Sequence, residues 1–202
     1  MVATKVKTEA VAQETPTEEI AQINISKIAL REAMIPIIGM TPLIVHRFSE
    51  KAKRQMLDNM TGKKTPKQPK NPQEEYEAAF YRFQDGGYGL PASAFRQATI
   101  GAARFYGKEV SMTALKQYLF VQGEMGTDGQ MLVRIEGEPE MREDVVRVGR
   151  GGSDLRYRPI FNQWRVSLKL VFVTSALTND SVLSLVDAGG LGVGGGEGRP
   201  ER

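Results

Sequence analysis

The sequence contains no cysteine. That excludes disulfides, thiolate metal ligands and cysteine nucleophiles, and it is compatible with a reducing compartment. Histidine is almost as scarce: His46 stands alone. A metal site built from several imidazoles, or a nuclease using two of them, is excluded. No apolar run approaches the length of a membrane span, and the longest, around Ile35 to Ile38, contains a proline. The first residues carry mixed charges without an apolar stretch, so no signal peptide is expected. There is no Gly-x-Ser-x-Gly elbow and no Gly-Lys-Ser/Thr phosphate loop. No pair of carboxylates has a spacing that points to acid–base work.

What is present is an ordinary globular composition, 41% hydrophobic and 25% charged, with a net charge of only +3. The distribution of that charge says more than its sum. Residues 51–70 hold seven cations against Asp58 alone, and residues 141–170 hold seven against three anions. Residues 111–140 are acidic. Two basic stretches distant in sequence suit a polyanion, because every neutralised phosphate releases counterions.

Residues 1–20 are polar and are expected to form a disordered tail, with a single domain over 21–202. Ile23, Ile25, Ile28, Leu30 and the run Met34–Ile38 predict a long, irregular first strand. Ser49 predicts the cap of a helix ending near Met60, with Ala52, Met56 and Met60 on its core face. Residues 61–72 hold three prolines and four lysines and predict an exposed basic loop, opening an insertion over 61–130. Residues 73–83 fit either a short helix or an extended segment. Ser93 predicts the cap of a helix with Phe95, Ala98, Ala102 and Phe105 buried, and Arg96, Ile100 and Arg104 on a second stripe. A short helix is expected over 113–119, and strands at 131–136, 145–148 and 163–173. Trp164, Val166, Leu168, Leu170 and Phe172 are placed inward in the last of these. Asp180 predicts the cap of a final helix ended by Gly189 and Gly190. The element order predicts an α+β chain with a ferredoxin-like antiparallel sheet, helices on one face, and a glycine-rich loop over 189–202. The closing strand of such a sheet is not found, so an exposed edge is expected.

Three features suit nucleic acid. One is the basic set Arg47, Lys51, Lys53, Arg54, Lys63, Lys64 and Lys67, with Arg96 and Arg104 beside it. Another is the stretch holding Arg147, Arg150, Arg156, Tyr157 and Arg158, which mixes cations, glycines and an aromatic as phosphate contact and base stacking require. The last is the glycine run with Gly192, Gly194 and Gly196, whose backbone can approach a phosphate without side-chain clash.

The segments Thr41-Pro42-Leu43-Ile44-Val45 and Leu90-Pro91-Ala92-Ser93-Ala94-Phe95-Arg96-Gln97-Ala98, together with the glycine run after the last helix, resemble the RAMP superfamily. The likeness is to the backbone subunits of CRISPR effector complexes and their phage-encoded relatives. Ala92 stands where that family often has glycine. The resemblance implies a modified RRM-like core that binds single-stranded RNA or DNA along its phosphates, as a homo-oligomer or filament. It implies no cofactor, no metal and no membrane, and a cytoplasmic location, in the host if a phage encodes it. No segment matches the aspartate loop of the cleaving subgroup, so no catalytic residue is assigned. Two other readings follow from the residues. One is a structural or assembly protein that polymerises through an unpaired sheet edge and the N-terminal tail. The other is an RNA-processing endonuclease with His46 as base.

Overall fold

The computed structural model describes residues 25–63, 69–148 and 152–197, and the expected tail, 1–20, lies outside them. In chain order the elements are β1 (Leu30–Ile38), β2 (Leu43–Ile44), α1 (Glu50–Met60), α2 (Pro72–Ala78), β3 (Tyr81–Arg82), β4 (Tyr88–Pro91) and α3 (Ala92–Gly101). A 3-10 turn (Ala102–Tyr106) continues α3. Then follow α4 (Met112–Tyr118), β5 (Leu119–Gln122), β6 (Glu124–Met125), β7 (Met131–Ile135), β8 (Pro139–Val148), β9 (Gly152–Phe161), β10 (Arg165–Val173) and α5 (Asn179–Gly192). The chain is α+β, with three antiparallel sheets among the described residues: β1-β10-β5, β2-β9-β8 and β3-β4-β7-β6.

The strict alternation of β10 makes it the centre of the first sheet. Val166, Leu168, Leu170 and Phe172 are buried on one face, while Arg165 and Ser167 face water. β1 and β5 flank it, and α3 and α5 pack on its buried face. Trp164 is only partly buried; its Nε1 donates to the Thr41 carbonyl at 2.8 Å and fixes the bend after β1.

Helix starts follow local chemistry. The Ser49 hydroxyl accepts from the Ala52 amide at 3.2 Å. The Asn71 side chain does the same for α2, whose first residue is Pro72. The ambiguous stretch 73–83 resolves into both options, α2 and then β3. Two expected caps are corrected. β4 runs straight into α3 with Pro91 at the cap position and no side-chain cap bond, so Ser93 lies inside the helix. For α5 the Thr178 Oγ1 accepts from the Ser181 amide at 3.1 Å, and Asp180 sits in the first turn, where its charge meets the positive end of the helix.

The stripe expected on α3 also shifts. Ala102 is buried as predicted, but so is Ile100, and Phe105 is 58% exposed. A 3-10 turn follows Gly101, and the Phe105 ring lies against Gly192 at the end of α5 instead. Nor do Gly189 and Gly190 end α5, which runs on to Gly192. The amides of Val193 and Gly194 then return to the Gly189 carbonyl at 3.1 and 2.8 Å, and Gly194 takes a positive φ of 67°. The segment beyond lies against β2, where the Glu197 amide donates to the Ile44 carbonyl at 2.9 Å.

Candidate nucleic-acid interface

An open cleft of about 1040 Å³ lies between the start of α1, α2 and the outer edge of β9. Aromatic packing joins the elements that border it. Tyr76 of α2 meets Phe80 edge-on at 4.9 Å, Phe80 lies against Tyr88 at 4.8 Å, and Tyr88 meets Phe161 of β9 at 5.6 Å. The Tyr76 hydroxyl donates to the Pro139 carbonyl at 3.4 Å, tying α2 to β8 as well. β2 pairs with β9 only at Leu43–Phe161 and Ile44–Ile160. Beyond Pro159, whose carbonyl accepts from the Val45 amide, β9 pairs with β8 alone, α2 packs against it, and its second edge faces the cleft.

The two basic stretches do converge here. Lys70, which closes the first, reaches β9 in the second: its Nζ donates to Asp154 Oδ1 at 2.6 Å and to the Leu155 carbonyl. Acidic groups stand among them, however. The cleft is lined by Arg47, Lys51, Lys70 and Arg156, but equally by Glu50, Glu74, Glu75 and Asp154. Its floor is therefore balanced in charge, unlike the continuous cationic track that the sequence suggests.

Several of the expected cations are engaged internally. Arg47 closes the end of α2, its backbone amide donating to the Ala79 carbonyl at 2.8 Å and its Nε to the Ala78 carbonyl at 3.3 Å, with Asp128 at 3.7 Å. Lys53 pairs with Glu50 at 2.6 Å, which holds the Glu50 carboxyl below its ordinary range. Arg96 turns away from the cleft and donates to the carbonyls of Leu119 and Lys116 at 3.1 and 2.5 Å. Arg158 is buried, with Asp144 3.5 Å away. Arg104 is exposed on the 3-10 turn.

Lys51, Arg54, Lys63 and Arg147 are exposed and form no ion pair with a described carboxylate. Arg156 is half-exposed, 3.9 Å from Asp154, and Tyr157 is partly exposed beside it on the cleft wall. Lys64, Lys67 and Arg150 lie outside the described residues. Two of the expected glycines pack against the protein itself. Gly192 faces the Phe105 ring, and a Cβ at Gly196 would stand 2.6 Å from the Ile44 carbonyl oxygen. Close internal approach accounts for both.

His46 borders the cleft, half-buried, and its Nδ1 has no hydrogen-bond partner among the described residues. Burial first, then Arg158 and Arg156, hold its pKa below the ordinary 6.5, against an opposing pull from Glu197. The folded state thus binds the proton less readily than the unfolded chain. Stability is fully present above 6.5 and falls as pH drops through that value. Urea midpoints measured from pH 7.5 down to 5 should show this decline, and His46→Gln should flatten it. An unchanged slope in the variant would assign the decline to other groups. Among the described residues no cluster of three or more His, Asp or Glu is placed to hold a metal, and no helix is long and apolar enough to cross a membrane.

Comparison with known protein families, with characterised proteins and with solved structures finds no match to this chain.

Proposed function

We propose that the protein binds single-stranded nucleic acid without catalysis, through the phosphate backbone, and assembles on it as a filament. The supporting observation is a set of exposed cations that meet no described carboxylate: Lys51, which lines the cleft, Arg54 on the same helix α1, Lys63 just after it, and Arg147 on β8, opposite Ser153 of the cleft-lining β9. These side chains are exposed to solvent, where a polyanion can reach them. The balanced floor is not the phosphate path in this reading. Tyr157 on the wall supplies an aromatic face for a base turned inward.

The fold reading fits the same picture. The sheet order β1-β10-β5, with α3 between β1 and β5 in the chain and α5 after β10, is the order a ferredoxin-like, modified RRM-like unit would require of three strands and two helices, and it supports that reading. The fourth strand of that unit would lie beside β1. This order supports the RAMP-like reading independently of the quoted motifs.

Titrating labelled single-stranded RNA and DNA across a salt series tests the proposal. Four phosphate contacts predict a log–log slope of about −3, since each contributes roughly −0.7 on a single strand. Lys51→Glu combined with Arg54→Glu should roughly halve that slope, whereas Arg96→Gln should leave it unchanged. Absence of binding at low salt removes the reading.

A further inference from the structure

Among the described residues β1, β5 and β8 each keep an unpartnered edge, as does β9 beyond its pairing with β2, and the edges of β1 and β9 differ chemically. On β1 the Gly39 amide donates inward to Trp164 and the Ala29 carbonyl accepts from Thr174. Odd-numbered residues therefore point their backbone groups at β10, and even-numbered ones at the open side. Pro36 falls in the even set, so the donor row of that edge is broken at its middle. On β9 the Pro159 carbonyl accepts from the Val45 amide of the chain after β2. Stepping by two, the backbone N–H and C=O groups of Tyr157, Leu155 and Ser153 face the cleft. Lys70 confirms the direction, since its Nζ enters from that side to the Leu155 carbonyl. This edge has three donors in register and no proline among them.

The cleft beside it has the volume of a small-ligand site and a floor with four cations and four anions. A polyanion gains nothing from that balance, while a peptide of mixed charge matches it. The rim is apolar. Phe48 is half-exposed, and α1 buries no residue at all: Met56 and Met60, expected on its core face, are 54% and 83% exposed. An amphipathic helix with nothing on its apolar stripe lacks a partner.

The same chain carries a segment of matching character. Ile25 and Ile28 are 83% and 64% exposed ahead of β1, and in the sequence Ile23 stands two residues before Ile25. Another 24 residues of chain precede Ile25, outside the described part. The arm departs from the Leu30–Val173 end of its sheet, whereas the cleft follows from the Ile38 end, roughly 27 Å away along the strand. Arm and acceptor edge thus lie at opposite ends of one molecule. That separation favours a contact from copy to copy, heterologous and open-ended.

We infer that the N-terminal arm of a second copy, centred on Ile23 and Ile25, adds as a strand to the open edge of β9. Its backbone pairs with Ser153, Leu155 and Tyr157, and its isoleucines pack on Phe48 and Met56. Lys70 holds the Leu155 carbonyl until the arm arrives, then remains on Asp154 and Glu75, which it already meets at 2.6 and 3.8 Å. Repeated, the contact builds a head-to-tail filament that forms without nucleic acid.

Sedimentation velocity of the full chain, freed of nucleic acid, tests this independently of the nucleic-acid reading. The wild type should gain mass with concentration. Ile25→Asp removes the arm's apolar anchor, and Leu155→Pro removes a cleft-facing N–H while leaving the β8 ladder intact; each should remain monomeric. Ser153→Pro serves as a second edge variant should Leu155→Pro fail to fold. The arm variant keeps an intact edge and the edge variant keeps an intact arm, so an equimolar mixture should stop at twice the monomer mass. A wild type that stays monomeric at every concentration overturns the inference, as do oligomers indifferent to the substitutions. A mixture that stays monomeric overturns it too, and would place the arm, if anywhere, on its own molecule.

Discussion

Asp144→Ala is expected to lower the unfolding free energy by about 3 kcal/mol. Asp144 stands across the β8–β9 ladder from Arg156, and its neighbours on the same face are Arg142 and Arg158. Its Oδ1 accepts from Arg142 Nε at 2.7 Å and its Oδ2 lies 3.5 Å from the Arg158 guanidinium. Arg158 is 8% exposed at the side chain and Asp144 16%. Removing the carboxylate leaves a buried guanidinium opposed by two further cations. Desolvation and like-charge repulsion then act in the same direction, so the cost exceeds that of a surface pair. The double substitution Asp144→Leu with Arg158→Met should recover most of the loss, because an apolar pair of similar volume needs no solvation. Urea unfolding of the three proteins decides the matter. A single variant within about 0.5 kcal/mol of wild type would mean that water reaches Arg158 and that its burial carries no electrostatic consequence.

The same arginine shows where reading the sequence stops. Arg158 sits in a basic, glycine-containing stretch that reads as a surface loop. Only the register of β8 against β9 puts it opposite Arg142 and beside Asp144. β8 itself is half invisible to hydrophobic alternation, since Pro139-Glu140-Met141-Arg142-Glu143-Asp144 is mostly charged and lies on an exposed hairpin; only Val145–Val148 has a strand signature. By contrast most of β10 was legible, because its faces obey a period of two from Arg165 to Phe172; the start was not, since Trp164 lies ahead of the strand and only partly buried. α1 was legible as a helix, from the Ser49 cap to the positive φ of Gly62. What covers its apolar stripe was not, because amphipathicity states that a partner is needed and not which one. The cleft joins Arg47, Lys70 and Asp154, and no local pattern brings these together. The positions of Lys51, Arg54 and Arg147 were readable as basic and exposed, but the four intervening carboxylates become neighbours only through the tertiary arrangement.

Glycine-rich runs pose a related problem, and the run that begins at Gly189 yields a second large effect. Gly189→Val is expected to destabilise the protein by about 3 kcal/mol, at the upper end for overpacking. A Cβ at 189 would stand 2.7 Å from the Ala98 carbonyl oxygen, 2.9 Å from its carbon and 3.1 Å from the Thr99 Cα. All three are backbone atoms of α3, so no rotamer change relieves the contact, and α5 must move off its partner. Such a shift would also drag on Leu185 and Val182, which α5 buries about one and two turns earlier. The next residue predicts the opposite sign. Gly190 is helical and exposed, with nothing within 4 Å of a Cβ, so Gly190→Ala should stabilise by roughly 0.5–1 kcal/mol through helix propensity alone. Thermal unfolding of the two variants therefore separates two explanations for the same dipeptide. If Gly189 serves close packing, the midpoints move in opposite directions. If both glycines serve a loose loop, as the sequence alone suggests, neither substitution moves the midpoint appreciably, and the helix–helix contact that orders this end of the chain would have to be abandoned.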